Sequence, residues 1–103
     1  MEELNAFLYT DYCYRKFIEA AQKETYFKNT IFMFIGDHGI KGNANATMPA
    51  AFTTQGLTNM HVPWLVYAPG RVAPQKFDHL VSQVDVLPTA ASLAGVAYSN
   101  TTL

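Results

Sequence analysis

The chain has 103 residues, half of them hydrophobic, which is enough for one small domain with a single core and too apolar for a disordered segment. Seven basic against eight acidic residues give a net charge of -1, with no run of either sign longer than a pair such as Arg15-Lys16, so nucleic-acid binding is disfavoured. The single cysteine, Cys13, excludes an internal disulfide and has no zinc-finger spacing around it, which leaves packing within a helix as its expected role. The N-terminus shows no basic region followed by an apolar segment, and no stretch approaches the roughly 20 apolar residues that span a bilayer.

From about Glu2 to Lys28 the pattern predicts a helix with Leu4, Phe7, Leu8, Tyr14, Phe17, Ile18 and Ala21 on one face of a 3.6-residue period. Asn29 can close it, and Asp11 is expected at a solvated edge of the stripe. Thr30 to Gly36 then reads as a buried strand, and it ends abruptly in Gly36-Asp37-His38-Gly39. The C-terminal ends of strands are where α/β proteins keep their chemistry. A carboxylate beside an imidazole offers one hard oxygen and one borderline nitrogen, a donor pair suited to Zn²⁺ or Mn²⁺, and the flanking glycines allow a sharp turn close to a ligand. The plainer alternative is a turn carboxylate beside a surface histidine.

Residues 40 to 60 are rich in Gly, Asn, Ala and Thr and show no sustained period, so they predict a long loop. Loops of that length in small domains tend to be functional or disordered, and the position after Asp37-His38 favours an active-site loop. The sequon Asn45-Ala46-Thr47 within it is a three-residue match that arises often by chance. Val62 to Ala68 predicts a second strand with Pro63 at its first residues or on an edge, ended by Pro69-Gly70. After a polar connection, Asp85 is placed to cap a helix from about Val86 to Ala94, with Pro88 in its first turn and Gly95 as its stop. The order helix, strand, long loop, strand, helix is an α/β pattern, and crossover connections between strands are expected. Both strands are apolar at nearly every residue, which suits the interior of a larger parallel sheet.

Several blocks in this order resemble those of sulfatases and their relatives in the alkaline phosphatase superfamily. They are Tyr9-Thr10-Asp11-Tyr12, Tyr26-Phe27-Lys28-Asn29-Thr30, Gly36-Asp37-His38-Gly39, the stretch from His61 to Gly70, Ser82 to Thr89, and Leu93-Ala94-Gly95-Val96. Within the superfamily the run from Tyr26 to Gly39 and the histidine before Val62-Pro63 are most similar to the lipoteichoic acid synthase and phosphoglycerol transferase branch. The resemblance implies that residues 1–103 are a C-terminal fragment of such a catalytic domain, with an incomplete alkaline-phosphatase-like (sulfatase) sheet flanked by helices. It implies that Asp37 and His38 ligate a divalent cation, with Mn²⁺ favoured and Zn²⁺, Ca²⁺ or Mg²⁺ as alternatives. His61 takes either a substrate-binding role towards phosphate or a structural one, and Gln83 and Asp85 fix the last crossover and helix.

The family's nucleophile, a threonine or a formylglycine-forming cysteine, lies upstream of these motifs and is not matched here. Cys13 is not followed by Cys-x-Pro-x-Arg, and no threonine has the nucleophile context. No catalytic residue is therefore assigned in this chain, and the chain alone is expected to be inactive. Its parent would act on a phosphate or sulfate ester, with the phosphatidylglycerol head group as substrate and the extracytoplasmic face of a bacterial membrane as location in the transferase case. The competing reading is a non-catalytic α/β interaction module with a structural Asp-His turn. In either case open sheet edges predict self-association.

Overall fold

The computed structural model describes residues 2–99 and 101, and the chain divides into two compact units, residues 1–72 and 73–103. The first contains helix α1 (Glu2–Ala21), strand β1 (Phe32–Ile35), a short helix α2 (Ala50–Thr54) and strand β2 (Trp64–Tyr67). The second contains helix α3 (Val86–Ala94), led in by a 3-10 turn at Gln83–Asp85. This is a mixture of helices with a small two-stranded sheet, consistent with an incomplete α/β fold. Among the described residues no helix is long and apolar enough to cross a membrane.

Helix α1 stops seven residues before the predicted end. The Gln22 amide still donates to the Ile18 carbonyl at 2.9 Å, but Lys23 and Glu24 reach back only three residues, and Phe27–Asn29 form a separate 3-10 turn. Packing explains the break. Continued at 1.5 Å per residue, the helix would carry Phe27 about 9 Å beyond Ala21. The turn instead places its ring 5.5 Å from that of Phe32 and 6.4 Å from that of Tyr67.

The strands pair antiparallel, Phe32 opposite Tyr67 and Ile35 opposite Trp64. This differs from the expected crossover between parallel strands, because a continuous apolar run reports burial and carries no information on direction. Phe32 and Phe34 share the face covered by α1, with Phe17 5.9 Å from Phe32 and Tyr14 5.0 Å from Phe34, both edge-on. Edge-on aromatic pairs add about 0.5–1.5 kcal/mol beyond their area burial. Among the described residues the buried apolar ones are Ala21, Phe32 and Ala68, all in the first unit. Leu4, Phe7 and Leu8 of the predicted stripe are exposed, and so is Cys13, which corrects the packing role expected for it. Asp11 lies at the solvated edge, 3.7 Å from Arg15.

In the second unit α3 has the predicted limits. Gly95 closes it at φ +68°, the left-handed conformation a glycine adopts without strain, and the Val96 amide reaches back to the Ala91 carbonyl at 2.9 Å. Asp85 does not cap the α3 amides as expected. Its Oδ2 accepts the backbone N–H of Ser82 at 2.7 Å, so the carboxylate braces the preceding 3-10 turn.

Candidate metal centre

Strand β1 runs directly into Gly36-Asp37-His38-Gly39, and the chain from Thr58 to Pro63 runs back alongside it. The Gly36 amide donates to the Pro63 carbonyl at 3.4 Å and the Gly39 amide to the Asn59 carbonyl at 2.8 Å. Both glycines are needed here for closeness. A Cβ on Gly36 would lie 3.0 Å from Cβ and Cγ1 of Val62, and one on Gly39 would overlap the Thr58 carbonyl oxygen. Neither has the positive φ found at Gly56, Gly70 and Gly95, so the expected sharp, glycine-dependent conformation is replaced by a close contact with the returning chain.

Asp37 and His38 are brought together and face solvent. The Asp37 Oδ1 accepts the His38 backbone N–H at 2.9 Å, and its Oδ2 lies 3.8 Å from His38 Nε2. His38 Nδ1 lies 2.8 Å from the Gly39 carbonyl oxygen. A carbonyl only accepts, so Nδ1 carries the proton and the neutral ring keeps its lone pair on Nε2. The same hydrogen bond to Gly39, followed by the charge of Asp37, holds the His38 pKa above its ordinary value.

The donor set fits a divalent cation. Two ligands, each about 2.0–2.2 Å from a shared ion, can be at most about 4 Å apart, and Oδ2 and Nε2 meet that limit. A ligating histidine whose other nitrogen donates to a backbone carbonyl is the usual outer-shell arrangement of protein metal sites. The set is partial, because among the described residues no three His, Cys, Asp or Glu side chains converge to hold an ion. His61 is thus outside any such cluster. It is exposed at the mouth of β2, its amide donates to the Leu57 carbonyl at 2.8 Å, and its ring stands edge-on to Phe52 with centroids 5.2 Å apart.

The segment predicted as a long active-site loop contains short helical elements. Helix α2 supplies Phe52, and the 3-10 turn Leu57–Asn59 supplies the carbonyls that receive Gly39 and His61. Gly56 at φ +67° joins the two. The one local signal for this turn was the glycine, since five residues of helix are too few to establish a period.

Comparison with known proteins decides the family. The sulfatase family model matches residues 2–96. The chain belongs to the sulfatase family. It is 30% identical over 89 residues to an endo-4-O-sulfatase of Bacteroides thetaiotaomicron, covering 86% of this chain and 17% of that protein. It is 33% identical over 101 residues to arylsulfatase K of Gallus gallus, covering 93% and 18%, and 28% identical over 87 residues to an arylsulfatase of Hemicentrotus pulcherrimus, covering 79% and 16%. The chain therefore spans about a sixth of the length of these relatives. No solved structure matches it.

Proposed function

We propose that this chain is the C-terminal portion of the catalytic domain of a sulfuric ester hydrolase and carries part of its divalent-metal site on Asp37 and His38. The observation that carries the reading is the strand-end pair itself: Nδ1 of His38 is tied to the Gly39 carbonyl, and Nε2 and Asp37 Oδ2 stand 3.8 Å apart in solvent. That pair occurs within a chain matched almost end to end by the sulfatase model. A bound cation would offset charge on the transferring group and lower the pKa of a nucleophile. Asp37 would contribute an anionic oxygen and His38 a neutral nitrogen, with Gly39 fixing the tautomer. The nucleophile would come from elsewhere in the parent, so the chain alone would not turn over an ester.

The hydrolase is placed ahead of the phosphoglycerol transferase because the relatives described above are named as sulfatases. The Tyr26–Gly39 block supports the transferase, and with it Mn²⁺, a phosphatidylglycerol head group and an extracytoplasmic membrane location. Calorimetry with Mn²⁺ and Zn²⁺ tests the metal assignment common to both. Binding should be weak, since structural zinc sites use four protein donors and two are present here, and it should vanish in Asp37→Ala and His38→Ala. Equal binding by the double variant would show that the pair is not the site.

A further inference from the structure

The end of the sheet away from Asp37-His38 carries a cleft of about 640 Å³, lined by Gln22, Phe27, Lys28, Pro69, Gly70 and Arg71. All of these belong to the first unit. The antiparallel register explains how they meet. It pairs the first residue of β1 with the last of β2, Phe32 with Tyr67, so the 3-10 turn before β1 and the turn after β2 come to the same end of the sheet. Arg71 Nη2 donates to Asn29 Oδ1 at 3.2 Å and ties the two turns together. Asp37 lies at the other end, five residues beyond Phe32, or about 17 Å of antiparallel strand at 3.4 Å per residue.

Both turns are held by main chain. The Asn29 amide donates to the Tyr26 carbonyl at 2.9 Å, and the Arg71 and Val72 amides both donate to the Ala68 carbonyl, at 3.0 and 2.9 Å. Gly70 makes the second turn at φ +79°. Phe27, half-buried against Phe32, and Pro69 supply apolar lining. The charge of the cleft is one-sided. Lys28 and Arg71 are the charged residues of its lining, and among the described residues neither makes an ion pair. Two cations in one concavity raise the local potential for an anion. Asn29 holds Arg71 through a neutral oxygen, so the guanidinium is oriented without its charge being cancelled, and a guanidinium has five N–H donors to offer. Two positive charges match a dianion, whereas one carboxylate would cancel only one of them.

We propose that this cleft binds a doubly charged tetrahedral oxyanion between Lys28 and Arg71, as a free ion or as a phosphate monoester, and that Asn29 is the positioning residue for the guanidinium. The site makes no use of Asp37 or His38, so metal binding neither supports nor overturns it. The full chain is titrated by NMR at constant ionic strength with inorganic sulfate, inorganic phosphate, phenyl phosphate and acetate. The pH is set above 7, where a phosphate monoester carries a charge of about -1.5 to -2.

Sulfate should shift the backbone amides of residues 27–30 and 70–72. Acetate, with one charge, should bind about fivefold more weakly, the upper increment of one exposed ion pair. Arg71→Ala and Lys28→Ala should each raise the sulfate dissociation constant by the same factor of about five. Asn29→Asp keeps an acceptor on the guanidinium but places a negative charge beside it. It should therefore also raise the constant about fivefold while leaving the amide spectrum of β1 and β2 unchanged, whereas a purely structural Asn29 would leave sulfate affinity as it was. Lys76→Ala removes an exposed charge from the second unit and should have no effect. Phenyl phosphate tighter than inorganic phosphate identifies an ester whose carbon skeleton meets Phe27 and Pro69, and equal affinity identifies the free ion.

Sulfate and phosphate that shift no amide in these two segments overturn the site. Acetate binding as tightly as sulfate overturns the assignment to a dianion. Wild-type sulfate affinity in Arg71→Ala or Lys28→Ala, or an equal loss in Lys76→Ala, overturns recognition by this pair of cations. Wild-type affinity in Asn29→Asp overturns the positioning role.

Discussion

Replacing Gly39 by alanine is the most direct test of how the site is held. The added Cβ would overlap the Thr58 carbonyl oxygen and lie 3.1 Å from the Thr58 carbonyl carbon and 3.3 Å from that of Asn59. These obstacles are backbone, which has no rotamer to turn aside, so one chain must retreat from the other. Forcing extra carbon into a filled space destabilises by about 1–3 kcal/mol. Retreat also stretches the 2.8 Å bond from the Gly39 amide to Asn59, whose loss removes about 0.5–1.5 kcal/mol. Against this, alanine restricts the unfolded chain and returns about 0.4–1 kcal/mol. The net expectation is a destabilisation of about 0.5–4 kcal/mol, a large share of the about 4–11 kcal/mol usual for a 72-residue unit. Urea unfolding measures the loss, and amide exchange at residue 39 reports the bond. Gly42→Ala is the control, because a Cβ there meets nothing within 4 Å and its φ is not positive. A Gly39→Ala variant within 0.5 kcal/mol of wild type, with its amide as protected as before, would refute the reasoning, since surface substitutions free of special contacts stay within about that range.

Phe32→Ala should destabilise the first unit by about 3 kcal/mol, the low end for such truncations because its neighbours Phe17 and Tyr67 are themselves only partly covered; urea unfolding again provides the check. Gly95→Ala meets no neighbouring atom but forces a side chain to φ +68°, so it should cost about 1–2 kcal/mol and lower amide protection at the C-terminal end of α3. The chain should self-associate at high concentration, because among the described residues each strand has one edge without a partner strand and Leu65 is 58% exposed. Light scattering that shows a stable monomer under those conditions would contradict it.

What the sequence disclosed were features with a local cause. Helix α3 was legible to the residue because Pro88 fits a first turn and Gly95 a left-handed stop. Both strands were located, each longer by prediction than observed, since an apolar run continues beyond the last paired residue. The Asp37-His38 turn was legible because a strand that ends in two polar donors between glycines is an unusual local pattern. The end of α1 was not legible, because Phe27 leaves the helix to reach Phe32 and Tyr67, partners five and forty residues away. Nor was the bond of Asp85 to Ser82, since a carboxylate before a helix can cap forwards or brace backwards with the same residues.

Strand direction, the one element of topology the composition could not convey, determines which segment lies beside the Asp37-His38 turn. Had β1 and β2 been parallel, the start of β2 would lie beside the start of β1, about 17 Å of strand from Asp37 at 3.3 Å per residue. The segment before β2 would then belong to the opposite end of the sheet from the Asp37-His38 turn. The antiparallel register reverses this, because it places the residue preceding β2 next to the residue following β1. The segment between them then serves as more than a connection. It has to descend, form α2 and the 57–59 turn, and return close enough that Gly39 tolerates no side chain. Closeness at Gly36 and Gly39, the carbonyls of Leu57 and Asn59, and the ring of Phe52 are thus parts of one device. It holds the returning chain against the Asp37-His38 turn.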